Sequence, residues 1–156
     1  MVTNQLLINK KVSGFTFIGL LAIIAISGIA LAGVGIIWHQ NSQREREKEL
    51  LYIGNQYRLA IESYYNANTE KQFPKSLDDL ILDKRFVYKK RHLRKLYLDP
   101  MAYGKPFNLI KLNERIVGVY SSSTETPIKK SNFPTPYESF ADAESYGDWK
   151  FVYGTK

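Results

Sequence analysis

The sequence predicts an α+β chain: one long N-terminal helix followed by a small antiparallel β-sheet. Three observations predict it. Phe15–Trp38 contains no Asp, Glu, Lys or Arg. An apolar stripe at Leu50, Ile53, Tyr57, Ile61 and Tyr64 then keeps helical spacing. Two β-prone runs, Phe107–Leu112 and Ile116–Tyr120, flank Asn113-Glu114-Arg115, which reads as a hairpin turn.

The length of 156 residues suits one modest domain with an appendage. The absence of Cys excludes a disulfide-stapled fold, a thiolate metal site and a cysteine nucleophile. Lys and Arg number 22 against 15 Asp and Glu, yet all of them lie outside Phe15–Trp38. The chain is therefore bipartite, with an apolar rod near its start and a charged, aromatic-rich remainder.

Phe15–Trp38 has the length of a membrane crossing, since about 20 apolar residues span a hydrocarbon core of roughly 30 Å. Trp38 falls where an interfacial aromatic belongs. A cleaved secretory signal is the rival, with Lys10 and Lys11 as its basic start and Ala30-Leu31-Ala32 as its cleavage site. Charge counting leaves the orientation open, because Arg44, Arg46 and Lys48 follow the rod as Lys10 and Lys11 precede it.

Residues 39–68 read as the soluble, amphipathic half of the same helix. The pairs 44/47, 45/48 and 46/49 join opposite charges one turn apart, and the helix is expected to stop near Asn68, ahead of Pro74. The remainder, 69–156, is expected to form a small head. In it Pro74–Leu80 reads as a short helix with Ser76 as N-cap and Asp79 three places on, and Trp149–Tyr153 as a last strand. So short a segment makes a marginal core alone; packing its sheet on the Leu50–Tyr64 stripe supplies the missing apolar face.

The N-terminal sequence Lys10-Lys11-Val12-Ser13-Gly14-Phe15-Thr16-Phe17-Ile18-Gly19 resembles the start of type IV prepilins and type II secretion pseudopilins. In that family a short basic leader ends in Gly, Phe follows, and a long apolar helix comes next. The resemblance implies a leader at 1–14, cleavage between Gly14 and Phe15 by a prepilin peptidase, and N-methylation of Phe15. It also implies a pilin-like fold, a cytoplasmic N-terminus and a periplasmic head on a single-pass protein of the bacterial inner membrane. The implied partners are the peptidase, other pseudopilins or pilins, the inner-membrane assembly platform and membrane lipid. Asp99-Pro100-Met101-Ala102-Tyr103-Gly104-Lys105-Pro106-Phe107 is similar to a stretch of major pseudopilins, with two extra residues. Gly19 stands where the family carries a Glu thought to pair with a neighbour's terminal amine, and its absence implies a tip or priming position. Ile36 stands where many members have a helix-bending Pro.

Gly28 and Ala32 lie one turn apart and allow close helix approach, so Gly19, Gly28 and Ala32 are the candidate assembly positions. Lys84–Lys95 holds seven Lys and Arg with no acid; it reads first as a solvated face or a contact with acidic subunits or lipid headgroups, with nucleic acid a lesser alternative. Glu138, Asp142, Glu144 and Asp148 form an acidic cluster of the hard oxygen ligands that suit calcium, though in no fixed loop pattern. No other metal or cofactor is expected. His39 and His92 belong to no catalytic motif, and Gly-x-Ser-x-Gly, His-Glu-x-x-His and phosphate-loop patterns are absent from the sequence. The sequence reads as a non-enzyme.

Overall fold

The computed structural model describes residues 15–154; the side chains of residues 15, 16 and 29–37 lie outside what it describes. The leader expected at 1–14, including Gly14, and the side chains of Phe15 and Ala32 therefore fall outside the described residues. The chain divides into two units between Gln40 and Asn41, close to the Trp38/His39 boundary read from the sequence.

Helix α1 runs Phe15–Asn66. In the first unit its large apolar side chains among those described face outward. Phe17, Ile18, Leu20, Leu21, Ile23, Ile24 and Ile26 are between 50% and 68% exposed. Ser27 keeps its hydroxyl satisfied by donating to the Ile23 carbonyl at 2.7 Å. Among the described residues no helix is long and apolar enough to cross a membrane. The side chains at 29–37, in the C-terminal part of the expected crossing segment, are not among them.

The second unit is α+β. Its sheet has three antiparallel strands in the order β1 (Asn108–Leu112), β2 (Arg115–Tyr120) and β3 (Lys150–Val152). The expected hairpin is present, but Arg115 opens β2 instead of closing the turn. Asn113 and Glu114 alone make the bend, with φ of 48° and 62°, the paired left-handed geometry that suits the strand twist. The register slips between Ile110 and Lys111, whose partners are Gly118 and Ile116. Val117 is the extra residue, and its carbonyl accepts the Tyr153 N–H at 3.0 Å.

All five stripe residues, Leu50, Ile53, Tyr57, Ile61 and Tyr64, are buried. Facing them are Phe107, Ile116, Val119 and Phe151, with Tyr137, Phe140, Tyr146 and Trp149 completing the core. Phe140 and Trp149 stack with planes 5° apart and centroids at 5.3 Å. Gly54 is what lets α1 lie this close to the sheet: a Cβ there would fall among the Cδ2, Cε2 and Cζ atoms of Phe151. Tyr57 ties the helix to the connecting loop, its hydroxyl donating to the Tyr97 carbonyl and accepting the Tyr97 N–H, both at 2.9 Å.

Helix α1 ends at Asn66, two residues before the sequence expectation, because its last turn is closed from outside. Ala67 N–H donates to the Tyr64 carbonyl at 3.3 Å, and Arg85 Nη2 donates to the same oxygen at 2.7 Å. A cation there also complements the negative end of the helix dipole. Helix α2 is a single turn, Asp78–Ile81. The expected cap at its start is half made: Asp79 accepts the Ser76 N–H at 3.0 Å, while Ser76 Oγ accepts from Asp78 and not from the third position.

Candidate functional site

Seven outward apolar side chains on the first part of α1 are the largest energetic anomaly in the molecule. Each Leu, Ile or Phe gains about 1.5–3 kcal/mol on full burial. The seven together forgo on the order of 10 kcal/mol while they face water. Gly19 and Gly28 lie on this part of the helix, and a Cβ at either would meet nothing within 4 Å. Both are open positions, so their small size serves no contact inside the described chain. This is a surface suited to an apolar surrounding.

Within the second unit, three buried carboxylates each organise a loop. Glu47, from the charged run that follows the apolar rod, points inward and is only 5% exposed. It accepts the Ile128 N–H at 2.9 Å, the Lys129 N–H at 3.1 Å and the Tyr146 hydroxyl at 2.7 Å. Burial, reinforced by the Glu47 acceptor, pushes the Tyr146 phenol well above its ordinary range, so it remains a donor. Asp99 is fully buried; it accepts the Ser121 hydroxyl at 2.7 Å and the Met101 and Ser122 N–H groups. The stretch it begins is a closed turn, with Asp99 N–H donating to the Lys105 carbonyl at 2.8 Å.

Asp83 is the third, and it gathers the chemistry that sequence reading missed. Arg85 Nε donates to its Oδ1 at 2.9 Å and Nη2 to its Oδ2 at 2.7 Å, while the guanidinium lies 3.6 Å from the centre of the Tyr64 ring. His92 Nε2 reaches Asp83 Oδ2 at 3.2 Å, and His92 Nδ1 reaches Ser63 Oγ at 2.8 Å. Burial alone would raise the Asp83 pKa, but hydrogen bonds from the Arg85 side chain and backbone and from His92 outweigh it and hold the carboxyl at about 2. Burial also lowers the His92 pKa, against the weaker pull of Asp83, and the ring is neutral. An ionised carboxylate only accepts, so Nε2 carries the proton and Ser63 donates to Nδ1.

Ser63, His92 and Asp83 thus form a hydrogen-bonded relay of the kind that activates a serine. The His92 and Leu93 N–H groups both donate to the Leu80 carbonyl, at 2.8 and 2.9 Å, and are not free to hold a developing oxyanion. Arg85 also spends the carboxylate's charge. The arrangement is a clamp joining the end of α1 to the 83–92 segment.

The sequence-predicted calcium residues do not converge. Among the described residues no group of three or more His, Asp or Glu is arranged to hold a metal ion. Glu138 accepts the Thr135 hydroxyl at 2.8 Å. Asp148 accepts the Ser145 N–H and hydroxyl, both at 2.9 Å, capping the 3₁₀ turn Tyr146–Asp148. Asp142 ends a separate 3₁₀ turn, Glu138–Asp142. Two of the four carboxylates, Glu138 and Asp148, are engaged by neighbouring Thr and Ser groups. Of the basic stretch, Arg85 is folded back on Asp83, whereas Lys84, Lys89, Arg91, Arg94 and Lys95 are exposed.

No family model, characterised protein or solved structure matches the chain.

Proposed function

We propose that the chain is a pseudopilin-like structural subunit of a type II secretion system or a type IV pilus-like filament, without catalytic activity. On this reading a prepilin peptidase cuts between Gly14 and Phe15, Phe15 is N-methylated, and the apolar part of α1 holds the subunit in the bacterial inner membrane. The N-terminus lies in the cytoplasm and the globular unit in the periplasm. Assembly then moves the helix from lipid to a bundle of identical or related helices. Both surroundings are apolar, so the transfer conserves burial and is decided by packing, to which Gly28 and Ala32 contribute small surfaces.

The observation that carries this reading is the set of seven outward apolar side chains on the charge-free first part of the helix that begins at Phe15. The α+β unit built on the later part of the same helix supports it. Gly19 favours a minor, tip or priming subunit, because the acid that would pair with a neighbour's amine is missing. A minor pilin of an adhesion or DNA-uptake filament belongs to the same class.

N-terminal sequencing of protein recovered from its native membrane tests the proposal. Methylated Phe15 is expected. An N-terminus at Gly33 would instead identify a periplasmic binding module released by signal peptidase, and an intact Met1 a plainly anchored protein.

A further inference from the structure

We propose that the loop following Asp83 docks on the acidic 138–148 segment of a second copy of this chain, forming a head-to-tail contact between globular units. The inference deepens the filament reading and rests on it.

The loop is built to protrude. Its ends are closed by the Asp83 N–H donating to the Lys90 carbonyl at 3.0 Å, and the buried Asp83–Arg85–His92 clamp fixes its base. At its tip Val87 is 109% exposed and Tyr88 64%. An apolar tip held out so fully gains only when a partner covers it. Around it stand the exposed cations Lys84, Lys89, Arg91, Arg94 and Lys95, none of which joins an ion pair among the described residues. An acidic surface is their electrostatic complement.

The chain carries its own complement. Residues 131–149 contain Glu138, Asp142, Glu144 and Asp148 and no Lys or Arg. All four are exposed and outside any ion pair among the described residues. Of the cations beside the segment, Lys129 lies over the Phe133 ring at 5.0 Å and Lys130 donates to the Ala143 carbonyl at 2.7 Å; Lys150 is exposed at its border.

The two patches occupy different levels along α1. The basic loop is tied to Ser63 and Tyr64. The acidic segment is tied lower, through Tyr146 to Gln43 and Glu47 and through Tyr137 to Asn55 and Arg58. At 1.5 Å per residue, Glu47 lies about 24 Å and Arg58 about 8 Å from Ser63 along the axis. Among the described residues no ion pair joins the two patches within a copy, and a two-fold pair is not required to use both. Stacking copies along the axis joins them repeatedly in an open series. Exposed ion pairs alone are weak and salt-screened, so covering Val87 and Tyr88 supplies the rest of the affinity.

The absence of Cys provides a clean test in the full-length protein in its native membrane. The double variant Val87→Cys/Ser139→Cys, oxidised with copper phenanthroline, should give a ladder of disulfide-linked multimers, with neither single variant going past a dimer. Adding Lys89→Glu/Arg91→Glu should reduce the ladder at least tenfold, and further adding Asp142→Lys/Glu144→Lys should restore it. A missing ladder, one indifferent to charge reversal, or one abolished by nuclease overturns the contact. A parallel Ile23→Cys/Ile26→Cys variant separates the two readings. Cross-linking through the helix without the head ladder leaves the filament standing, and loss of both removes it as well.

Discussion

Gly54 of α1 lies directly against the ring of Phe151 in β3, and no side chain fits between them. Helix and sheet are held at that separation by one missing methyl group. Gly54→Ala would gain about 1 kcal/mol of helix propensity but must displace a fully buried ring, an overpacking cost of about 1–3 kcal/mol. A net loss of up to about 2 kcal/mol and a Tm lower by several degrees is expected by thermal circular dichroism. The double variant Gly54→Ala/Phe151→Val should lose less stability than the two single changes added together. A single variant as stable as the parent would show that the ring moves freely.

The Asp83 clamp makes stability depend on pH in two steps of the same sign. Burial depresses the His92 pKa below 6.5, so the unfolded chain takes up a proton first as pH falls. Stability is full above about 6.5 and declines below it. Asp83, held at about 2 against an unfolded value of 3.8, contributes on the order of 2 kcal/mol that is complete above about 4 and lost as pH falls towards 2. His92→Gln should abolish the upper step and keep the lower. A melting temperature flat from pH 7 to 5 in the parent protein would contradict this account.

Glu47 predicts a graded series. Glu47→Gln still offers one acceptor oxygen and should cost about 1 kcal/mol, whereas Glu47→Ala strands two N–H groups and a phenol and should cost about 3 kcal/mol. Hydrogen exchange at Ile128 and Lys129 reads the effect locally. Protection there that survives Glu47→Ala would mean the loop is held by other contacts.

Gly19→Glu addresses position in the assembly. If the absent acid keeps the subunit at a tip or priming site, restoring it should raise the number of copies per filament several-fold, counted by quantitative immunoblotting against the main subunit. Unchanged stoichiometry would count against the tip assignment.

Local pattern carried much of the fold. The stripe from Leu50 to Tyr64, the hairpin around Asn113 and the last strand near Phe151 follow from periodicity and turn chemistry, which act over a few residues. The polar interior did not follow, because burial of a charge depends on partners far along the chain. Glu47 sits in a run whose one-turn pairs suggest a solvated surface, yet its partners are 81 and 99 residues away. Arg85 looks like one cation among seven until Asp83, just outside the basic stretch, is seen to bind it. That lone acid at the edge of a basic run was the available signal. His92 offered none, since Ser63 is 29 residues distant. The acids at 138–148 misled in the opposite sense: two of them serve short-range hydrogen bonds.

Glu47, Gly54 and Tyr64 fasten one helix to three separate parts of the globular unit: the 128–129 loop, the sheet and the Arg85 side chain. Each residue added to a helix turns everything beyond it by about 100° and advances it by about 1.5 Å. An insertion or deletion between the first and last of these anchors would put at least one out of phase, and even a seven-residue insertion, which nearly restores the angle, shifts the far end by about 10 Å. The distance from Glu47 to Tyr64 is therefore a fixed gauge, and evolution or engineering can vary the length of α1 only outside it.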